Sequence, residues 1–220
     1  GGGVDDSPGT TGLLIGSDSS LDQISQEFQL LGKLGNSLDW QLGLYYLDED
    51  GSQSYTGAGG FLFAEESNSQ TRSYAVYGEG TYQLTEALSV TGGLRWTKDD
   101  KDYQISCTGI FCQGGPVDLN ENWDEVTGKL AVNYQLNENQ LVYLSFTQGY
   151  QSGGFQSLCF GDLTAACAAT PFDPQTVDSI EAGWKADFFD NRLRFNAAAF
   201  YAMYNDIQQV VTNNAGGFPT

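Results

Sequence analysis

The chain has 220 residues, with 28 acidic and nine basic side chains, a formal net charge of -19 at pH 7 and no histidine. Cations this few and this scattered exclude a nucleic-acid partner, because phosphate binding depends on clustered Lys and Arg. The missing histidine removes Ser-His-Asp and Cys-His catalysis and every His-based metal site, and the longest unbroken apolar run, Ala197 to Tyr204, falls far short of the roughly 18 residues of a spanning helix.

Taken in chain order, short turns alternate with long polar segments, and between them run eight stretches of alternating apolar and polar residues. Residues 1 to 20 are Gly-rich and Ser-rich and read as a loop. Leu21 to Leu34 follows, with Gln26 on its apolar face, and then the turn Gly35-Asn36-Ser37. Trp40, Leu42, Leu44 and Tyr46 separate from Asp39, Gln41 and Gly43 before a polar segment from Asp48 to Gln70. After a stretch bounded by Tyr74 and Tyr82 and the turn Leu84-Thr85-Glu86-Ala87, Leu88 to Trp96 sets Leu88, Val90, Gly92, Leu94 and Trp96 against Ser89, Thr91, Gly93, Arg95 and Thr97. A second polar segment spans Asp99 to Asn122, and the next stretch splits Val126, Leu130, Val132 and Tyr134 from Glu125, Thr127, Lys129 and Asn133. The turn Asn137-Glu138-Asn139 leads into Leu141 to Phe146, and a third polar segment covers Ser152 to Gln175. Ile180, Ala182, Trp184, Ala186 and Phe188 then oppose Glu181, Gly183, Lys185 and Asp187. The turn Asp190-Asn191, the stretch Leu193 to Tyr204 with aromatics on both faces, and a fourth polar segment from Ile207 onward close the chain.

Period-two spacing puts successive side chains on opposite faces of a strand, so each stretch has one greasy face and one that could line water. The fold class this implies is all-β: an antiparallel up-and-down transmembrane β-barrel wall, about eight strands of a larger barrel. A soluble β-sandwich adhesin would also alternate. Three features favour the membrane. Trp40, Tyr82, Tyr134 and Phe188 lie near the short turns and Tyr46, Tyr74, Trp96 and Tyr201 toward the long segments, as two interfacial belts would. The expected strands run to about a dozen residues, the length of a tilted span. Finally, Gly43, Gly93 and Gly183 recur on the polar face, where a sandwich would present Lys and Glu. The chain reads as one partial barrel domain over residues 1–220, a slice of something longer, since both ends fall on the long-segment side.

No nucleophile and base are paired in the pattern. Glu65-Glu66 and Asp99-Asp100 fall in expected loops where nothing desolvates them, and Asp48-Glu49-Asp50-Gly51 lacks EF-hand spacing. A non-enzyme without cofactor or metal is the expectation. The cysteines fall in two close pairs, Cys107 with Cys112 and Cys159 with Cys167, each inside one long segment. Closure within a loop, restraining it in an oxidising exterior, is the expected arrangement.

The run Thr147-Gln148-Gly149-Tyr150-Gln151-Ser152-Gly153-Gly154-Phe155 resembles the S-R-G-Y-K-S-G-G-F-type signature of TonB-dependent receptors, and it follows a strand as it does there. Gln148 and Gln151 replace the basic residues often found. Asp39 to Tyr46, Gly93 to Thr97 and Val177 to Lys185 are similar in style to the same family. The resemblance implies energised uptake of a scarce nutrient (siderophore, haem, cobalamin or oligosaccharide) across the outer membrane of a Gram-negative bacterium. It also implies outer-membrane lipid, a plug domain elsewhere in the full chain, the TonB complex acting on that plug, and an unidentified small-molecule ligand as partners. A passive porin or small anchoring barrel is the alternative. Glu27, Arg95, Lys129, Glu181, Lys185 and Arg194 are expected to line the lumen or ligand path, pairing with one another or with the plug ahead of direct ligand contact. Gly149, Tyr150, Gly153, Gly154 and Phe155 mark a strand exit where glycines permit a bend or close backbone approach.

Overall fold

The computed structural model describes residues 14–58, 63–109, 116–156, 171–209, 212–213 and 218–219. Eight antiparallel strands form one sheet in chain order: β1 Leu14–Leu34, β2 Leu38–Ala58, β3 Phe63–Gln83, β4 Leu88–Gly109, β5 Val117–Asn137, β6 Gln140–Gln151, β7 Gln175–Phe188 and β8 Leu193–Asn205. Two short strands, β9 Thr212–Asn213 and β10 Phe218–Pro219, pair with each other. Among the described residues β1 and β8 are not joined, so the sheet is an open wall.

The short turns stand where the sequence places them, and local chemistry explains each. Gly35 takes φ 62°, a left-handed value glycine adopts without a Cβ clash. The Thr85 hydroxyl accepts from the Ala87 and Leu88 amides at 3.2 and 3.0 Å, and the Asn137 side chain accepts from the Asn139 amide at 3.0 Å, both side-chain mimics of a backbone turn. At the last turn Phe189, Asp190 and Asn191 carry φ of 55°, 54° and 64° in succession.

The polar segments differ from expectation. Asp48 to Gly57 continues β2 and pairs residue for residue with Phe63 to Arg72 of β3, and Asp99 to Ile105 pairs with Val117 to Trp123. Residues 14–20, expected as loop, belong to β1. Five strands therefore reach 21 or 22 residues, not about a dozen, while β6, β7 and β8 stop at 12 to 14. The alternation fades in the extensions because Ser, Asn, Gln and Asp occupy both faces, yet backbone pairing needs no apolar face to continue. Asp48 to Gly51 is strand rather than a calcium-type loop. Glu65 and Asp99 are buried, at 4% and 7% exposure, against the expectation of solvation.

Register fixes the faces. Phe28, Leu44, Val76, Trp96 and Val126 form one row through successive partners, and Leu130, Phe146, Ile180 and Tyr201 another. This apolar face is the open one: Leu94 is 66% exposed and Leu42, Leu44, Leu130 and Leu144 exceed half, whereas Thr91 on the opposite face is 7% exposed. No second sheet of comparable size packs on it among the described residues, which removes the sandwich alternative. A hydrophobic face left uncovered over eight strands requires a nonaqueous neighbour. From Leu88 to Trp96 the band spans about 26 Å along the strand at ~3.3 Å per residue, or roughly 20 Å at a 40° tilt, close to the lipid-facing height of such walls. Tyr46 and Tyr74, register partners with ring centroids 5.3 Å apart, edge it on the extension side.

Candidate functional site

The polar face holds a set of side-chain bridges, three of them laid over a glycine. Gly43 of β2 is the register partner of Tyr77 on β3, and a Cβ at Gly43 would fall on the Tyr77 ring. The ring thus crosses β2, and its hydroxyl donates to Glu27 Oε1 on β1 at 2.6 Å. Gly93 of β4 lies between its partners Glu79 on β3 and Lys129 on β5, and Lys129 Nζ reaches Glu79 Oε2 at 3.0 Å across it. Gly183 of β7 faces Tyr143 of β6, whose hydroxyl donates to Glu181 Oε1 at 2.5 Å. Lys185 lies over the Tyr143 ring at 5.4 Å. The Arg95 guanidinium stands 5.4 Å from the Tyr45 ring and 5.5 Å from the Tyr77 ring and donates from Nε to Thr97 at 3.0 Å. Near the last turn Arg194 binds both Asp187 oxygens, at 2.7 and 3.0 Å.

All six sequence-expected lumen residues occupy this one face, and Glu27 and Arg95 converge on Tyr77. Lys129 and Arg194 each meet a carboxylate, and Glu181 and Lys185 meet around Tyr143. Sequence reading missed the partners Tyr45, Tyr77, Glu79, Tyr143 and Asp187. Their signal was present: a Tyr or Glu directly opposite a strand glycine has room to lie across it.

The second cluster lies beyond the apolar band, on the polar-face side of the β4 and β5 extensions. Tyr103 and Ile105 of β4 are buried there, with Val117, Leu119 and Phe155 packed against them. After β6 ends at Gln151, residues 152–156 turn back over this patch. Phe155 stacks on Tyr103 at 5.3 Å and 12° and tilts against Trp123 at 6.2 Å. Lys101 Nζ donates to the Gly153 carbonyl at 2.8 Å, and the Tyr103 hydroxyl donates to the Gln156 carbonyl at 3.1 Å. Lys101 also sits 5.9 Å over the Trp123 ring. Gly154 and Phe172 exchange backbone hydrogen bonds of 3.2 and 2.9 Å. The two buried glycines are a steric necessity, since a Cβ at Gly153 would enter the Phe172 carbonyl and the Trp123 indole, and one at Gly154 the Phe172 ring.

Electrostatics follow burial in this cluster. Removal from water holds the Lys101 amine below its ordinary value, partly offset by Asp99 and Glu49. Burial likewise pushes the Tyr103 hydroxyl up to about 12, and burial with the Asp99 carboxylate beside it raises Tyr150. Of the strand-exit residues, Tyr150, Gly153, Gly154 and Phe155 are thus brought together with Asp99, Lys101 and Tyr103, which lay in a segment expected to be a loop, and with Trp123 just past its end, whereas Gly149 lies against Val177 of β7. Cys107 is disulfide-bonded; Cys112, Cys159 and Cys167 lie outside the described residues.

The family model described as TonB dependent receptor-like, beta-barrel matches residues 3–220. The catecholate siderophore receptor Fiu of Escherichia coli K12 is 28% identical over 167 residues, 68% of this chain and 22% of that protein. The pesticin receptor of Yersinia pestis is 29% identical over 136 residues, 61% of this chain and 19% of the relative. This chain thus spans about a fifth of the length of these curated relatives. Among solved structures, the ferric yersiniabactin uptake receptor FyuA from Yersinia pestis superposes with a TM-score of 0.79 at 23% identity, covering 91% of this chain and 31% of that one. The ferric citrate transporter FecA in its unliganded form gives 0.62 at 16% identity, covering 94% and 31%.

Proposed function

Starting from a chain that belongs to the TonB-dependent receptor-like β-barrel family, we propose that it supplies part of the wall and mouth of an outer-membrane receptor taking up a ferric siderophore. The family is one of transport receptors, and its structural neighbours include a ferripyoverdine receptor of the outer membrane of Pseudomonas aeruginosa. The observation that carries the reading is the inversion of the sheet: the apolar face is open and uncovered, and the polar face is spanned by its own bridges. That arrangement suits a wall with lipid outside and a hydrated path inside. The relatives' names suggest the substrate class, for Fiu is named a catecholate siderophore receptor and FyuA a ferric yersiniabactin uptake receptor.

In this reading residues 1–220 are one portion of a barrel domain. The extensions of β1 to β5 and the segments near 48–70, 99–122, 152–175 and 207–220 stand on the extracellular side, where ligand is first met. Glu27, Arg95, Lys129, Glu181, Lys185 and Arg194 line the lumen, holding the wall through their bridges and offering what surface remains to a plug domain of the full-length protein. The TonB complex acts through that plug, not through this wall. The test is uptake of radiolabelled ferric chelates by iron-starved cells carrying or lacking the full-length gene. Gene-dependent uptake of a ferric siderophore that a protonophore abolishes is the expected result. Equal uptake with and without the gene for every chelate, or uptake indifferent to the protonophore, would overturn the proposal.

A further inference from the structure

The strand-exit segment 152–156 touches β4 and β5 in the manner of a ligand. Its aromatic ring lies nearly parallel to Tyr103 and against Trp123, and its carbonyl oxygens take one hydrogen bond from Lys101 and one from Tyr103. What it fills is an aromatic floor with an ammonium and a phenol at its edge, beyond the apolar band and on the same face as the polar wall. Lys101 is mostly removed from water there and already over an indole. Lifting residues 152–156 would expose Tyr103, Ile105, Leu119 and Trp123 and free two donors together. We infer that this is an occluded subsite for a ligand bearing an aryl ring with adjacent oxygen acceptors, and that Phe155 with the Gly153 and Gln156 carbonyls occupies it as a built-in competitor. The ammonium and the phenol match oxygens, the stacked rings match an aryl plane, and a chelate lacking a ring gains only the donors.

The inference rests on the uptake reading for its ligand class, but the displaced contact can be read without transport. In the full-length receptor in detergent, the probes are the ferric complex of 2,3-dihydroxybenzoate and, lacking an aryl ring, ferric citrate. Phe155→Ala removes the competitor and is expected to tighten binding of the aryl probe about tenfold, as when a competent state rises from a tenth of the population to nearly all, with ferric citrate unchanged. Gly153→Ala, whose Cβ enters Phe172 and Trp123, should act in the same direction, and it serves if Phe155→Ala fails to fold. Lys101→Met should weaken the aryl probe. In a Gln156→Cys reporter, maleimide labelling should accelerate when the aryl probe is added to an otherwise unaltered receptor. Unchanged or weaker binding in both the Phe155 and Gly153 variants, or labelling indifferent to the probe, would overturn the subsite. Loss of the uptake reading would show instead as absent gene-dependent transport of any chelate, with the reporter still faster in Lys101→Met.

Discussion

At the scale of the residue, the polar face depends on what is missing from it. Gly43 and Gly93 leave gaps one side chain wide, and the Tyr77-to-Glu27 and Lys129-to-Glu79 bridges pass through them. A β-branched residue in either gap has to displace the bridge, so Gly43→Val and Gly93→Val are expected to destabilise the full-length barrel by about 1 to 3 kcal/mol through overpacking. Gly92 on the opposite face has open space where a Cβ would stand, and Gly92→Val should be tolerated. Urea unfolding followed by the heat-dependent gel shift of the folded barrel reads all three. The buried phenol beyond the apolar band gives a pH prediction. Tyr103 is held neutral by burial, its pKa raised from the ordinary 10.0 to about 12. A raised value stabilises the folded contact below pH 10, and that contribution is lost as pH rises through 12. Labelling of the Gln156→Cys reporter should therefore quicken across this interval, and Tyr103→Phe, having no proton to lose, should flatten the rise.

At the scale of the element, the lipid-facing register is the most exposed claim. Val132 and Ala182 share one outward row through Leu144, and Leu94 lies on the same face in a neighbouring row, so Leu94→Arg, Val132→Arg and Ala182→Arg should each cost about 2 to 4 kcal/mol near mid-bilayer. Arginine at Thr97, on the opposite face toward the edge of the band, should cost far less. Folding titrations into lipid vesicles would show whether the two groups separate. These rows were legible in the sequence because period two persists wherever one face meets an apolar medium and the other a polar one, and the four short turns were legible from Gly35, Thr85, Asn137 and Asn191. The extensions were not. Between Asp48 and Gln70 neither face is apolar, so pattern reading returns loop while the β2–β3 ladder runs on unbroken. The cluster beyond the band was hidden for the same reason, because Lys101 and Tyr103 lie in an extension that carried no strand signal. The contacts of Lys101, Tyr103 and Trp123 with residues 153–156 join positions about 30 to 50 apart in sequence, and only the glycines at 153 and 154 hinted that something approaches closely.

At the scale of the whole molecule, the sheet leaves two edges and one large apolar face unsatisfied. The outward face of β1 shows Ile24, Phe28, Leu30 and Leu34, and that of β8 Phe195, Tyr201 and Met203, all exposed. Each of these strands has a ladder partner on one side only among the described residues. An edge of this length presents a row of unpaired amides and carbonyls that another chain can extend, and in hydrocarbon each such group costs several kcal/mol. Lipid covers the face but cannot pair the edges, so closure requires further strands beside β1 and β8. The expected outcome is that residues 1–220 produced alone, refolded into detergent micelles, form β-rich oligomers of mixed size by sedimentation, while the full-length barrel stays monomeric. Proline at an outward-pointing amide of β1 offers a control, because it removes an edge donor and should shrink the oligomers without altering the β2–β8 ladder. A monodisperse monomer of residues 1–220 would mean that β1 and β8 find each other and close a small barrel, and the bridges crossing Gly43 and Gly183 would then face one another across a lumen too narrow to pass a ferric chelate.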